Sequence, residues 1–155
     1  MLYASLKTLH LLSIVIWVGG MFFAHFFLRP AVAGLDAPVR LKLLHGVMKP
    51  FLGLVTYLSL LTLFTGLWMI GNVAKTVVQA GGSFDMPLDW TLMAVLGTLM
   101  VLIFGHIRFA LFGRFQKAVL AEDWSAAGTA MGTLRQWVFV NLCIGLVTIV
   151  VTLLT

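Results

Sequence analysis

Four apolar runs of about 20 residues dominate this sequence and decide what it can fold into. They cover roughly Leu9–Leu28, Phe51–Ile70, Trp90–Ile107 and Trp137–Leu154. At about 1.5 Å of rise per residue, such a run crosses the ~30 Å hydrocarbon core of a bilayer as a helix. Only 10% of the residues are charged, whereas soluble domains average about 25%. The sequence therefore predicts an all-α protein, a bundle of four transmembrane helices.

The four runs leave no room for a separate soluble domain, so we expect a single membrane domain over residues 1–155. The segment Ala31-Val32-Ala33 resembles a signal-peptide cleavage site. However, the apolar run before it is too long for a typical signal peptide, and Arg29-Pro30 interrupts the approach. We therefore expect the first span to remain in the protein.

Basic residues are concentrated in two of the three connections between spans. The first connection carries Arg29, Arg40, Lys42 and Lys49, the third carries Arg108, Arg114, Lys117 and Arg135, and the second carries only Lys75. The positive-inside rule then predicts cytoplasmic first and third connections, with both termini on the outer side of a bacterial cytoplasmic membrane. Since these cations flank spans, the net charge of +5 indicates contact with anionic lipid and not with nucleic acid.

Four histidines lie in or beside the apolar runs: His10, His25, His45 and His106. An ionisable side chain in a membrane is costly and suggests a function. Helical rise places His10 near the outer surface and about 22 Å from His25, so one metal ion cannot bind both. The other three are predicted near the inner boundary, on three different helices.

An inner group of histidines on facing helices suits a haem with two axial histidine ligands. The predicted pair is His25 with His106, or His45 with His106. Arginines at the same edge, Arg29, Arg40 and Arg108, would receive the haem propionates. The main prediction is therefore a haem b protein, an electron-transfer component or a membrane oxidoreductase. Its electrons would be exchanged with quinone or with another membrane redox protein. The alternative for each histidine is a simple hydrogen bond to water, a head group or a carbonyl.

Copper is the second hypothesis, because imidazole and thioether groups are suitable ligands. His10 is the candidate ligand on the outer side, and the methionines expected there are Met1, Met69, Met86 and Met93. Cys143 is the single cysteine, so neither a disulfide nor a zinc thiolate site is available. A third hypothesis is a cofactor-free structural or assembly subunit. The sequence is also compatible with a homo-oligomer.

Individual residues in the sequence predict where helices begin and where helices approach closely. Asp36, Asp89 and Asp123 are predicted to begin helices, and Pro50 to kink the second. Glycines that would allow close approach of helices or of a flat macrocycle stand at positions 19, 20, 53, 66, 97 and 105. The Gly128-x-x-x-Gly132 pattern is weaker evidence of helix contact, because it lies largely outside the bilayer.

The first span contains the pattern Leu-Lys-x-Leu-His-Leu-Leu at residues 6–12 and Trp-Val-Gly-Gly-Met-Phe at residues 17–22, followed by Arg-Pro-Ala at 29–31. Further matching segments are residues 112–119, 123–124, 141–142 and 145–146. Together these resemble CopD-type (copper resistance D domain) membrane proteins, and the first helix is also similar to HemJ-like protoporphyrinogen oxidases. The resemblance implies a small four-helix membrane protein associated with copper handling or with haem.

Overall fold

The computed structural model describes residues 1–154, and throughout that range it is helical with short connections and no strands. The four long helices are α1 (Leu2–Ala31), α2 (Ala37–Gln79), α3 (Leu88–Leu120) and α4 (Trp124–Leu154). Each is long and apolar enough to cross a membrane. The predicted four-helix membrane architecture is therefore confirmed. Every helix extends beyond its predicted apolar run at one end or at both.

The longest helix is α2, with 43 residues. At about 1.5 Å per residue it spans about 64 Å, roughly twice the thickness of the hydrocarbon core. Its first turns, which carry Arg40 and Lys42, therefore project beyond the apolar region. Helical structure continues through Pro50, which lacks only the N–H that would bond to Gly46.

The helix starts agree in part with the predicted caps. The Asp123 carboxylate accepts a hydrogen bond from the backbone N–H of Ala126 at 2.9 Å, which confirms that cap. Asp36 occupies the cap position of α2 but makes no side-chain capping bond. The prediction for Asp89 was wrong, because α3 begins at Leu88 with Pro87 at the cap position. Asp89 lies in the first turn, where its charge complements the helix dipole.

The core lies along the axis of the bundle. Helix α1 packs mainly against α2, and α4 against α3. The rings of Trp17 and Phe104 meet edge to face, with centroids 5.7 Å apart, at the middle of the core. Large apolar side chains also cover the outside, among them Tyr57, Leu102 and Phe109. An apolar exterior of this kind is what a bilayer requires and water would not tolerate.

Two π-helical turns interrupt the spans. One covers Ala24–Leu28 in α1 and the other covers His106–Leu111 in α3. Such turns are frequent at functional sites because they change the direction in which side chains project. His25 and His106 each lie in one of them.

Candidate functional site: two cavities along the axis of the bundle

Two cavities within the described part of the bundle are lined by histidines, one towards each end. The first, here called the His10 cavity, has a volume of about 300 Å³ and is lined from all four helices, by residues that include His10, Thr62, Gly66, Met93, Met100 and Gly145. The second, here called the basic cavity, has a volume of about 290 Å³ and is lined by residues that include His25, Arg29, Arg40, Met48, Met131 and Arg135. Both are at the lower limit of typical ligand pockets, about 300 Å³.

His10 is the one buried histidine among the described residues, with 8% of its surface exposed. Its Nδ1 lies 2.9 Å from the hydroxyl oxygen of Thr65 on α2. That hydroxyl also lies 2.6 Å from the carbonyl oxygen of Leu61 in the preceding turn. This hydrogen-bonded chain joins α1 to α2 inside the membrane.

The hydrogen-bonded chain favours one tautomer of His10. A hydroxyl has one proton to donate, and the short contact gives it to the Leu61 carbonyl. In the tautomer that satisfies both contacts, the Thr65 oxygen accepts from Nδ1–H of the imidazole. The lone pair of neutral His10 is therefore on Nε2, in a ring that lines the cavity. A metal-binding histidine is commonly oriented in this way, with its second nitrogen held by a neighbouring group.

Gly66 provides the space that His10 occupies. A Cβ atom at position 66 would lie 3.0 Å from Cε1 of His10, a distance shorter than normal carbon–carbon contacts of about 3.5–4.0 Å. The imidazole thus packs directly on the backbone of α2. A side chain at residue 66 would require the ring to shift by a few tenths of an ångström.

Thioether groups continue from the His10 cavity towards the other end of the molecule. Met93 and Met100 line that cavity from α3. Met21 on α1 and Met48 on α2 are buried, and Met48 also lines the basic cavity. Three of these four methionines, at positions 21, 48 and 100, are no more than 5% exposed. Sulfur atoms therefore occur at successive levels of the interior, on three helices.

A packed layer separates the two cavities. On α4 the basic cavity extends to Val138 and the His10 cavity begins at Gly145, and Asn141 lies between them on the same helical face. Asn141 and Leu142 are fully buried, and neither polar atom of the Asn141 amide has a hydrogen-bond partner among the described residues. An unpaired buried amide costs about 1–3 kcal/mol, so Asn141 is a polar interruption in an otherwise apolar layer.

The basic cavity brings together His25, Arg29, Arg40 and Arg135. Arg40 donates to the carbonyls of Ala33 and Leu35, both at 3.3 Å. No carboxylate pairs with any of these three arginines, since the single ion pair within residues 1–154 joins Lys42 to Glu122. The predicted association of His25 with Arg29 and Arg40 is thus seen in space, with Arg135 added to it.

His25 and His106 lie at closely similar depth. The His25 ring stacks on Phe139, with centroids 4.5 Å apart, and the His106 ring meets Trp137 at 5.3 Å. These two partners are two residues apart on α4, which corresponds to about 3 Å of rise. However, His25 lines the basic cavity, whereas His106 is exposed on the outside of the bundle.

His45 and Arg108 belong to a separate aromatic stack. The His45 ring lies parallel to Phe112 at 5.8 Å, and the Arg108 guanidinium lies 5.6 Å from the same phenyl ring. Phe112 follows His106 by six positions, so His45 lies about 9 Å from the level of His106. Neither His45 nor Arg108 lines the basic cavity.

These positions do not suit a haem with two histidine ligands. Of the three inner histidines, only His25 lines the basic cavity. Arg108, expected to receive a propionate, packs on Phe109 and Phe112. The geometry thus gives the haem hypothesis no support.

Several residues of these cavities were not found from the sequence. Met21, Met48 and Met100 were not predicted, because they are far apart in the chain and form no cluster there. Helical spacing offered a signal, since Met93 and Met100 are seven residues apart and therefore share a face. Thr65 is expected from the sequence to bond across helices or to its own backbone, and it does both, whereas Arg135 is expected only to determine the topology. Nothing in the chain order indicates which residues they contact.

Comparisons with known proteins identify the family. The family described as "CopD: Copper resistance protein D" matches residues 45–155. A search of curated proteins and a search of solved structures found no match. The family match begins after α1, so the resemblance of residues 6–31 to CopD-type and HemJ-like first helices remains a prediction. Because the match covers α3, α4 and most of α2, more than half of the chain, this protein belongs to the copper resistance protein D family.

Proposed function

We propose that this protein handles copper in the membrane and binds copper(I) in the His10 cavity. The observation that carries the proposal is the buried His10 imidazole, fixed by Thr65 so that its Nε2 lone pair is available in a cavity that also contains two thioethers. Membership of the copper resistance protein D family supports copper as the ion.

The ligand chemistry favours copper(I) over divalent ions. Thioether sulfur is a soft ligand that selects copper(I), and imidazole is compatible with it. The residues lining the His10 cavity include no carboxylate. Hard divalent ions such as magnesium and calcium are bound mainly through carboxylate and carbonyl oxygens, whereas the side-chain oxygens of this lining are the hydroxyls of four threonines. A monovalent ion also has a smaller desolvation cost than a divalent ion in an apolar site.

The arrangement of sulfur atoms suggests a route beyond this binding site. We propose that copper(I) exchanges from the His10 cavity to Met21 and then to Met48, past the packed layer that contains Asn141. Neutral, soft ligands at successive levels would allow the ion to move without a charged side chain in the hydrocarbon region. The basic residues of the first and third connections support an orientation in which the His10 cavity is on the outer side and the basic cavity on the cytoplasmic side of a bacterial inner membrane.

The test is a copper(I) titration of the purified protein in mild detergent, under reducing, anaerobic conditions, against a chromophoric chelator. We expect tight binding at one equivalent and at least tenfold weaker binding for His10→Ala. The matched control is His106→Ala, which removes an exposed imidazole at the other end of the bundle and should leave the affinity unchanged. Equal loss in the two variants, or no binding by the unmodified protein, would refute the proposal.

An absorption spectrum of the same preparation separates the other hypotheses. We expect no Soret band after expression in haem-supplemented cells. A Soret band that disappears in His25→Ala or His106→Ala would instead establish the haem hypothesis. A protein that binds neither copper nor haem would be a structural or assembly subunit, and its partners would then be sought by co-purification.

A further inference from the structure

The basic cavity is not explained by copper chemistry. Three arginines, Arg29, Arg40 and Arg135, line this cavity. Their positive charge opposes the binding of copper(I) there. Charges concentrated at one site without a carboxylate partner indicate an anionic ligand. We propose that the basic cavity binds the head group of an anionic phospholipid, with the phosphate held by Arg29, Arg40 and Arg135.

The first support is the electrostatic environment of the cavity. Arg29, Arg40 and Arg135 line the same cavity as the His25 ring. Arg40 contacts only backbone carbonyls, at 3.3 Å, so it retains donors for a ligand. The Nδ1 atom of His25 is buried and has no hydrogen-bond partner among the described residues. The cavity therefore presents several unused donors and no competing acidic side chain.

The second support is the mixture of polar and apolar groups. Most of the lining is apolar, and it comes from three helices and from the connection after α1; it includes Leu28, Val32, Leu41, Leu44, Leu134 and Val138. A small inorganic anion would leave these apolar groups without a partner. A phospholipid places its phosphate against the guanidinium groups and its glycerol and first methylenes against the apolar wall. At about 290 Å³ the cavity holds the head-group region, and the acyl chains would extend along the apolar exterior.

The third support is the position of the cavity. It lies at the end of the bundle where the cations of the first and third connections flank the spans. Phospholipid phosphates occupy this level of a bilayer, and basic pockets between transmembrane helices bind anionic head groups. Gly128 and Gly132 form part of the wall, and a Cβ atom at either position would meet nothing within 4 Å. A larger side chain introduced at either position could therefore extend into the cavity.

The experiment measures lipid binding by native mass spectrometry of the full chain, released from a neutral detergent and titrated with phosphatidylglycerol or phosphatidylcholine. We expect one phosphatidylglycerol to bind at least tenfold more tightly than phosphatidylcholine. The Arg29→Gln/Arg135→Gln variant should bind phosphatidylglycerol about 30-fold more weakly, since each basic residue near the surface contributes about a factor of five. The matched control, Lys49→Gln/Arg114→Gln, removes the same charge outside the cavity and should retain binding.

Gly132→Leu tests the cavity without changing any charge, and it should abolish the one-to-one complex. Thermal unfolding verifies that each variant is folded. If Gly132→Leu does not fold, the arginine variant and its control still test the proposal. Equal weakening in the arginine variant and its lysine-containing control would overturn the proposal, because it would indicate general surface attraction. Unchanged lipid binding by folded Gly132→Leu would also overturn it. Displacement of the lipid by millimolar inorganic phosphate would overturn it as well, because it would indicate a site for a soluble anion.

Discussion

At the scale of single residues, the contact between His10 and Thr65 has the greatest consequence for function. Thr65 donates to a carbonyl in its own helix, so its oxygen is an acceptor for the imidazole. Without that bond the ring can rotate, and the tautomer with Nε2 free is no longer favoured. Thr62, one turn earlier, lines the same cavity, but its hydroxyl is buried without a partner. The two threonines therefore differ in role although they share a face of α2.

We expect Thr65→Val to weaken copper(I) binding by about 10–100-fold, the usual effect of losing a group that orients a ligating histidine. The measurement is the chelator competition described above, with thermal unfolding recorded in parallel. Thr62→Val is the matched control, because it removes the same atom type from the same cavity. It should leave the affinity unchanged and the stability equal or higher, since an unpaired buried hydroxyl is lost. Similar affinities for the two variants would show that Thr65 does not orient the ligand.

At the scale of helices, close packing depends on a few glycines. A Cβ atom at Gly20 of α1 would collide with the ring of Phe51 on α2. At Gly145 of α4 it would lie 2.9 Å from Cε of Met100 and 3.1 Å from Cγ2 of Val18. Of the six glycines expected to permit close approach, only Gly20 and Gly66 meet a neighbour in this way. The other four, at positions 19, 53, 97 and 105, face open space, so glycine content alone does not locate a contact.

We predict that Gly20→Ala destabilises the bundle by about 1–3 kcal/mol, the usual cost of inserting a methyl group into a packed core. Gly19→Ala is the control, because its added Cβ would meet nothing within 4 Å. That neighbouring substitution should be neutral or slightly stabilising, since alanine favours the helix. Reversible unfolding in mixed micelles measures both variants. A loss of stability in Gly19→Ala equal to that in Gly20→Ala would contradict the α1–α2 packing described here.

At the scale of the whole molecule, one end of the bundle is positively charged and the other is nearly neutral. The basic cavity lies at the charged end and the His10 cavity at the neutral end. An approaching copper(I) ion would therefore meet less repulsion at the His10 cavity. At the charged end, anionic lipid in the basic cavity would reduce the field that an emerging cation meets. The two proposed sites thus require opposite local charge, and the bundle keeps them apart.

We predict that both termini lie on the periplasmic side when the protein is produced in a bacterial inner membrane. A carboxy-terminal fusion to alkaline phosphatase should be active, and the corresponding fusion to green fluorescent protein should be dark. Fusions within the connection between α1 and α2, after Leu35, should give the reverse pattern. Fluorescence from the carboxy-terminal fusion would reverse the orientation and would place the His10 cavity on the cytoplasmic side.

The sequence by itself determined the architecture. Four long apolar runs allow no other arrangement than membrane-spanning helices, because a bilayer leaves backbone groups no partner outside a helix. Depth could be derived in part, since helical rise is fixed: it placed His25, His45 and His106 near one level, whereas the packing of His45 on Phe112 puts it about 9 Å from the level of His106. The direction in which each side chain points could not be derived, because it depends on how the helices rotate and pack. Two π-helical turns change that rotation near His25 and His106.

Tertiary structure decided which residues share a cavity. It put His25 beside three arginines, turned His106 to the outside and stacked His45 on Phe112. It also brought Met48 and Met131, which are remote in the chain, to one cavity and joined His10 to another helix by a hydrogen bond. The physical reason is that a cavity is a property of facing helix surfaces. The spacing of residues along one helix shows which of its side chains share a face. Which residues of a neighbouring helix lie opposite that face is determined only by packing.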